Sequence, residues 1–526
     1  MQPSRNLFHM LWFALLVAGG CFFVLCMTEP SIGLTWDEPA YMQAAQSYHD
    51  WFQRIPAERH LMLTQPLIDA YWTANHEHPP LVKLWYGLVA TPLVEQYGVI
   101  TAYRFAAMLI STGLVTVVAV SMLRAVGMLS ALASIAVLLT MPRLFFHLHV
   151  AALDVPGAFA YIAGVLVFWH SRNRGSAWFD VLFGIVWGLG IATKINAAFV
   201  IPTIGIWWLL TDRRIFLIRR IAVGVLIGLP LFVLIWPWVW VDPLVRSIDY
   251  VRWITVDHWQ IPQWFLGALY LPPPWYFAPT MLIMTTPVFS IVATAAVPFI
   301  ARNEQKPYLT ILAIAATVPL IALMFSTTVY DNERLFLATY LLLAMLVGVS
   351  LTRIAQLFSR GVVLDRRIWA GLVGIVVLIP VTQSYVLWPH LLSYYSTSIG
   401  ALPGARALQM DHTYWSETYN EALTYLDAHA PANATIWIEP WSYDVPHTYQ
   451  KDGRIRADLR FVSDDGASVW GMPVTQMAAY EADYVLVTYR FASWTPATRA
   501  LVNGTSRPVF VIRRAGVPLA AVYRNP

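Results

Sequence analysis

Long apolar segments without charge recur along this chain and rule out a soluble fold for most of it. Runs of about 20 such residues, the length that crosses a hydrocarbon core, occur roughly eleven times before residue 390. Charged residues make up 12% of the 526, against about 25% in soluble domains. One or two such runs serve as anchors, whereas about eleven predict a polytopic, mostly α-helical membrane domain over residues 1–400.

The distribution of positive charge predicts the orientation of these spans. The first run, Leu7 to Met27, lacks a small-residue cleavage site, so we expect it to be retained as a helix. The other predicted spans are residues 100–120, 128–146, 156–170, 178–193, 196–211, 221–241, 277–300, 308–325, 335–352 and 368–388. Arg and Lys dominate segments 1–7, 121–127, 171–177, 212–220, 301–307 and 353–367, which the positive-inside rule assigns to the cytoplasm. The outer segments are then the long loop 28–99, the turn 147–156, the loop 242–276 and everything after residue 389.

The end of the chain has the composition of a small soluble domain. A helix is predicted near 416–429, and strand-like runs cover Ala434–Glu439, Leu459–Val462, Tyr484–Tyr489, Pro508–Ile512 and Val517–Tyr523. We therefore expect a small extracytoplasmic α/β domain over residues 401–526. The two cysteines, Cys21 and Cys26, both lie in the first span, so no disulfide is expected in the exported parts.

An acid pair opens the first outer loop. Asp37 and Glu38 stand in Gly33-Leu-Thr-Trp-Asp-Glu-Pro-Ala-Tyr41, just beyond the first span. One interpretation is a helix cap, since Asp suits the N-cap and Pro39 suits the first turn. The other is a catalytic carboxylate at the membrane surface, and the local pattern alone leaves both open.

A second motif, His76-Glu-His-Pro-Pro-Leu-Val-Lys83, closes the same loop, and Arg104 follows at the start of the next span. Lys83 either extends to the membrane interface or binds an anion. The His76–His78 cluster has the side chains of a metal site but lacks the usual helical spacing. Tryptophans flank the outer segments, Trp253 and Trp259 among them, which is typical of interfacial anchoring, with substrate stacking as the alternative.

Further ionisable residues fall in or beside the other outer segments. Asp154 lies in an apolar neighbourhood, where an acid is either a cap before Pro156 or functional. Lys194 lies between two spans, and Glu333 and Arg334 precede another. Under the predicted topology all these groups share the outer face. Carboxylates at the water boundary with cations at headgroup depth suit a substrate such as a lipid-linked phosphate.

The ordered set of motifs resembles the GT-C class of membrane glycosyltransferases, in particular family 39, which includes protein O-mannosyltransferases and the enzyme that adds aminoarabinose to lipid A. The matching features are Trp36-Asp-Glu, His78-Pro-Pro-Leu-Val-Lys83, Arg104, Leu153-Asp-Val-Pro156, Thr193-Lys194 and Glu333-Arg334. The resemblance implies inverting transfer of a sugar from a polyprenyl or dolichyl phosphate to an acceptor outside the cytoplasm. The tail after Pro389 looks like that of bacterial members, which leaves a lipid, glycan or protein acceptor open and implies a bacterial inner membrane with a periplasmic site.

The resemblance also implies roles for individual residues. Asp37 is the expected general base, Glu38 its support and Asp154 a second acid; Asp37 and Asp154 are the ligands if a divalent cation is used. Lys83, Arg104, Lys194 and Arg334 are the expected ligands of the donor phosphate, with His78 and Glu333 as further site candidates.

A transporter or flippase of a lipid-linked substrate is the alternative function. Many transporters have two matched halves and broken helices near mid-membrane, and the sequence shows neither. The net charge of +4 reflects topology, so the lipid bilayer is an expected partner and nucleic acid is not.

Overall fold

The structure, a computed structural model, describes residues 3–326, 329–359, 364–440, 442–467 and 473–525, so the predicted cytoplasmic segments 1–7 and 353–367 are described in part. The helices up to residue 240 are α1 (Pro3–Thr28), α2 (Glu38–Met62), α3 (Gln65–Trp72), α4 (Leu81–Ala90), α5 (Val94–Tyr97), α6 (Val99–Val126), α7 (Met128–Thr140), α8 (Pro142–His147), α9 (Asp154–Ser171), α10 (Ala177–Thr193), α11 (Val200–Leu210), α12 (Ile215–Ile235) and α13 (Pro237–Trp240). Then follow α14 (Pro243–Arg252), α15 (Phe277–Thr285), α16 (Val288–Ile300), α17 (Lys306–Met324), α18 (Leu337–Phe358), α19 (Arg366–Leu387), α20 (Ala401–Ala407), α21 (Tyr419–His429), α22 (Asp444–Lys451) and α23 (Pro496–Asn503).

Two sheets complete the fold. Strands β1 (Gln263–Phe265) and β2 (Ala268–Tyr270) form a hairpin in the loop 242–276. The C-terminal sheet contains β3 (Thr435–Glu439), β4 (Arg460–Ser463), β5 (Thr475–Gln476), β6 (Tyr484–Thr488), β7 (Phe510–Arg514) and β8 (Val517–Arg524) in the order β5-β4-β3-β6-β8-β7. Strands β5, β4, β3 and β6 are mutually parallel, β8 pairs with β6 in antiparallel orientation, and the edge strand β7 is antiparallel to β8. The expected helices mixed with strands are therefore confirmed.

Each predicted span coincides with helical structure, and the chain is an integral membrane protein. Within the described residues six helices are long and apolar enough to cross a bilayer unaided: Leu7–Ser31, Val99–Val126, Ile215–Ile235, Lys306–Met324, Arg334–Phe358 and Arg366–Leu387. Shorter apolar helices cover Met128–Thr140, Ala177–Thr193 and Ile195–Leu210. The span 277–300, predicted as continuous, is instead bent by 112° between α15 and α16. Pro287 lies in this break and cannot donate a helical hydrogen bond.

Glycines allow α10 and α12 to approach closely. A Cβ atom on Gly188 would lie 2.7 Å from the Cα of Gly228, and one on Gly184 would lie 3.2 Å from the Cα of Gly224. Both pairs are spaced four residues apart along their helices. Small residues at this spacing bring membrane helices into van der Waals contact where no hydrophobic force drives them together.

The C-terminal domain packs directly on the loop that carries the acid pair. The Leu34 amide donates to the hydroxyl of Tyr449 at 2.8 Å. A Cβ atom on Gly33 would come within 1.8 Å of the Glu417 carbonyl oxygen, so this close approach requires glycine. The segment after α1 is therefore held between the two domains, and the position of Asp37 depends on both.

Candidate active site

Asp37 lies at the junction of the membrane helices and the C-terminal domain. Its carboxylate makes no capping bond to the following helix, although Asp37 occupies the N-cap position of α2. It pairs with the guanidinium of Arg334 instead. The preceding residue, Trp36, donates its amide to the carbonyl of Trp415 at 3.3 Å. The capping interpretation therefore does not explain this acid.

Arg334 connects three carboxylates at the start of the α18 span. Its Nε donates to Asp154 at 3.2 Å and its Nη1 to Asp331 at 2.6 Å, while its Nη2 pairs with Asp37. The guanidinium carbon lies 3.9 Å from the centre of the Trp415 ring. Residues from three predicted outer segments thus meet at one cation.

Asp154 joins this cluster from the first turn of α9. One of its oxygens accepts from Nζ of Lys194, the residue that follows α10, at 2.6 Å. The other oxygen accepts from Arg334, and the side chain is 1% exposed. The carboxylate of Asp154 therefore does not cap the helix, because both of its oxygens are bonded to cations from other segments.

A cavity of about 580 Å³ opens over this cluster, within the range typical of ligand sites. The predicted residues Asp37, His78, Lys194 and Arg334 line it. Aromatic rings from three segments complete its walls: Trp36, Tyr41, Trp253, Trp259 and Tyr330. The outer tryptophans Trp253 and Trp259 therefore face a cavity as well as the interface.

Burial controls the ionisation of Asp37. Loss of solvent raises its pKa to about 6, because the opposing effect of Arg334 is smaller than the desolvation and the repulsion from Asp331 and Asp154. Burial also lowers the pKa of His78 well below its usual value, with Lys194 and Lys83 adding repulsion. A carboxyl that titrates close to neutral pH has the property expected of a general base.

Glu38 and Arg104 form a separate buried network, away from the cavity. The Nε and Nη2 of Arg104 donate to the two oxygens of Glu38 at 2.8 and 2.9 Å. Its remaining bonds go to the Ile32 and Gly33 carbonyls and to Glu29, so all five N–H groups have acceptors. Both side chains are 0% exposed. The structure thus separates these two predicted site residues from the cluster around Arg334.

Lys83 is likewise buried and bonded. Its Nζ donates to the Asn75 carbonyl at 2.6 Å, to Asn75 Oδ1 at 3.1 Å and to the His78 carbonyl at 2.8 Å. These three acceptors match the three N–H groups of an ammonium. Lys83 therefore holds the turn that brings His78 to the cavity, and it does not line the cavity itself.

Glu333 points away from its neighbour Arg334. Its carboxylate pairs with Arg143 and accepts from the Tyr414 hydroxyl at 2.7 Å. The guanidinium carbon of Arg143 also lies 4.7 Å from the centre of the Tyr395 ring. This buried cluster fixes the segment that presents Arg334.

The described residues contain no group of three or more His, Cys, Asp or Glu side chains that could hold a metal ion. Asp37 and Asp154, the pair named above for a divalent cation, are both bonded to Arg334. A guanidinium thus takes the place between them that such a cation would need. This arrangement does not fit a metal held by these two residues.

Sequence reasoning missed the contribution of the C-terminal domain. Pro440 and Arg490 line the cavity, and each follows the carboxyl end of a parallel strand, β3 and β6 respectively. Ligand sites of parallel sheets lie at these ends, so the two predicted strands carried the signal. Asp331, three residues before Arg334, binds both Arg334 and Arg490.

Comparisons with known proteins identify a family model and similar folds. Residues 77–238 match the family model described as dolichyl-phosphate-mannose-protein mannosyltransferase. No curated protein sequence matches the chain. ArnT from Cupriavidus metallidurans in the apo state is similar at 15% identity over 99% of this chain and 98% of that one, with a TM-score of 0.52. ArnT bound to undecaprenyl phosphate matches over the same shares with a TM-score of 0.51.

A weaker likeness, to the archaeal oligosaccharyltransferase AglB from Archaeoglobus fulgidus, covers 92% of this chain and 70% of that one at 10% identity with a TM-score of 0.48. The ArnT likeness extends over both domains, which confirms the expected fold class. The protein has the fold of the GT-C class of membrane glycosyltransferases, and residues 77–238 carry the pattern of its mannosyltransferase family.

Proposed function

We propose that this protein transfers a sugar from a polyprenyl-phosphate donor to a hydroxyl group of an acceptor on the non-cytoplasmic side of the membrane. The observation that carries the proposal is a single cavity lined by a buried carboxylate, Asp37, and by the cations Lys194 and Arg334. ArnT, whose fold this chain has, binds undecaprenyl phosphate in one of its structures, which supports the donor class. The excess of Arg and Lys in the opposite loops supports the side.

The carboxylate of the cluster suits activation of the acceptor, and its cations suit departure of the phosphate. Asp37 accepts the proton of the acceptor hydroxyl while the acceptor oxygen forms a bond to the anomeric carbon. The bond from that carbon to the phosphate oxygen breaks, and the electron pair leaves with the polyprenyl phosphate. Lys194 and Arg334 stabilise the charge that develops on this leaving group. Attack opposite the phosphate inverts the anomeric carbon.

The pairing of Asp37 with Arg334 links donor binding to base activation. In the structure the carboxylate of Asp37 is paired with the guanidinium of Arg334. A phosphate that binds Arg334 competes with Asp37 for this cation and leaves the carboxylate free for the acceptor. We propose that Asp154 holds the side chains of Lys194 and Arg334 in position during this exchange, since it bonds to both.

We further assign Glu38, Arg104 and Lys83 to support of the site. Their polar groups are satisfied inside the protein, so a phosphate would have to displace buried hydrogen bonds to reach them. Glu38 and Arg104 fix the loop before Asp37, and Lys83 fixes the turn at His78. A lipid, glycan or protein acceptor all remain within the proposal, because each can present a hydroxyl.

Donor turnover by the purified full chain tests this proposal. Polyprenyl phosphate released from undecaprenyl-phosphate mannose, glucose or aminoarabinose is measured with cell-envelope extract as the acceptor source. Asp37→Asn should lower the rate by about 10²–10⁴-fold, the usual contribution of a general base. Glu58→Gln, which removes a surface carboxylate of the same loop, is the control. A folded Asp37→Asn protein with wild-type turnover contradicts the proposal.

Chelation tests the absence of a metal step. Because Arg334 occupies the place between Asp37 and Asp154, we expect EDTA to leave the rate unchanged. Loss of turnover in EDTA that one divalent ion restores would return Asp37 and Asp154 to the role of ligands.

A further inference from the structure

Arg490 reaches the catalytic cavity from the C-terminal domain. It lies two residues beyond the carboxyl end of β6, the central parallel strand next to β3. The residue is 5% exposed, yet it lines the same cavity as Asp37 and Arg334. A buried arginine of the C-terminal domain therefore faces the same cavity as residues of the membrane domain.

Two contacts fix the guanidinium of Arg490. Its Nη2 donates to Oδ1 of Asp331 at 2.8 Å, and its carbon lies 4.1 Å from the centre of the Trp36 ring. The other oxygen of Asp331 accepts from Arg334 at 2.6 Å. One carboxylate thus holds two guanidinium groups side by side, one from each domain. Trp36 is also the residue immediately before Asp37.

The charges around the cavity show what Arg490 adds. The carboxylates of Asp37, Asp154 and Asp331 outnumber the two cations that the membrane domain supplies to them, Lys194 and Arg334. Arg490 brings this cluster to three of each sign. Glu77 also lines the cavity and adds a further carboxylate, whereas His78 and His258 add no permanent positive charge. Without Arg490 an incoming phosphate would meet an excess of negative charge, which repels it strongly in a buried site.

We propose that Arg490 binds the phosphate of the donor beside Arg334, so that the C-terminal domain completes the active site. A guanidinium has five N–H groups, and the bond to Asp331 uses one of them. The planar fork of arginine suits two phosphate oxygens, and two neighbouring forks surround such a group from two sides. The inference rests on the proposed function, because it concerns the same donor.

The binding of undecaprenyl phosphate to the purified full chain tests the inference, with undecaprenol as the uncharged probe. The wild-type protein should prefer the phosphate. Arg490→Ala should weaken phosphate binding at least about tenfold and leave undecaprenol binding unchanged. Arg490→Lys keeps the charge but loses the planar guanidinium. Its affinity for undecaprenyl phosphate should lie between that of the wild type and that of Arg490→Ala.

A neighbouring arginine supplies the matched control. Arg499 belongs to the same domain, and its guanidinium lies over the Trp264 ring at 5.3 Å, outside the lining of the cavity. Arg499→Ala should bind undecaprenyl phosphate as the wild type does. If Arg490→Ala does not fold, Arg490→Gln replaces it, since glutamine keeps a donor without the charge.

The outcomes separate this inference from the proposed function. Wild-type affinity in folded Arg490→Ala or Arg490→Gln overturns the role of Arg490 and leaves the donor class standing. If the wild-type protein binds undecaprenol with the same affinity as undecaprenyl phosphate, the donor class itself is overturned. An equal loss for both lipids shows that Arg490 only supports the fold and also overturns the inference.

Discussion

Two buried arginine networks lie next to each other in this protein, and the adjacent acids Asp37 and Glu38 are divided between them. Arg104 and Glu38 have 0% exposed side chains, and every N–H group of Arg104 has an acceptor. Arg334 is almost as buried, but it lines a cavity of about 580 Å³ together with Asp37. The first network encloses no space for a ligand, whereas the second network faces the cavity.

The difference shows that residue type does not distinguish an enclosed structural ion pair from one that faces a cavity. A buried pair whose hydrogen bonds are saturated can fix a backbone segment, and Glu38 does so by accepting from the Thr35 and Ala151 amides. A buried pair that faces a cavity can exchange partners with a substrate. What differs between Glu38 and Asp37 is thus access, and substitutions in each network should have different consequences.

The largest effect is expected on stability in the saturated network. Arg104→Met leaves Glu38 as a buried charge without its main partner, which typically costs about 3–5 kcal/mol. Thermal unfolding of the detergent-solubilised protein measures this loss. Arg54→Met removes a surface ion pair with Glu58 and should cost about 1 kcal/mol or less. If Arg104→Met unfolds like the wild type but no longer binds undecaprenyl phosphate, Arg104 acts at the donor after all.

The next effect is expected on donor affinity in the network that faces the cavity. Lys194→Gln should weaken binding of undecaprenyl phosphate about 10- to 100-fold, because a charge-assisted bond to the phosphate is lost while Arg334 still pairs with Asp154. Equilibrium binding to the purified protein measures it, with exposed Lys306→Gln as the control. Unchanged affinity in Lys194→Gln would remove this residue from the phosphate site.

The pH dependence of transfer should report the ionisation of Asp37. In the proposed function its ionised form is the base, and burial raises its pKa to about 6. Activity is therefore lost as pH falls through 6, with kcat/KM decreasing about tenfold per pH unit below that value and level above it. A pH series of kcat/KM measures the midpoint. A midpoint near 4 would show that the carboxyl is solvated during catalysis.

The smallest effect on affinity is expected at Lys83. Its ammonium is fully used by the carbonyls of Asn75 and His78 and by the Asn75 side chain, so Lys83→Met should change undecaprenyl phosphate affinity by less than about threefold. The same variant should unfold at a lower temperature, because buried carbonyl groups lose their donor. A loss of affinity as large as that of Lys194→Gln would restore Lys83 to the phosphate site.

The local patterns of the chain predicted much of the secondary structure. The predicted strands Ala434–Glu439 and Val517–Tyr523 appear as Thr435–Glu439 and Val517–Arg524, and the helix near 416–429 appears as Tyr419–His429. Apolar length and alternation are properties of short segments, so they can be recognised without a tertiary structure. The bend in the span 277–300 was not predicted, because its apolar pattern continues across the break.

By itself the sequence determined that the chain is a polytopic membrane protein with acids and cations in its predicted outer segments, and its ordered motifs resemble the GT-C class. Only the tertiary structure decided which of them meet: it joined Asp37, Asp154, Lys194 and Arg334, set Glu38, Arg104 and Lys83 apart, and brought Arg490 to the cavity from more than 150 residues away in sequence. Motif order follows from local spacing along the chain. Access to a cavity depends on contacts between distant segments, and one sequence does not contain a local signal for them.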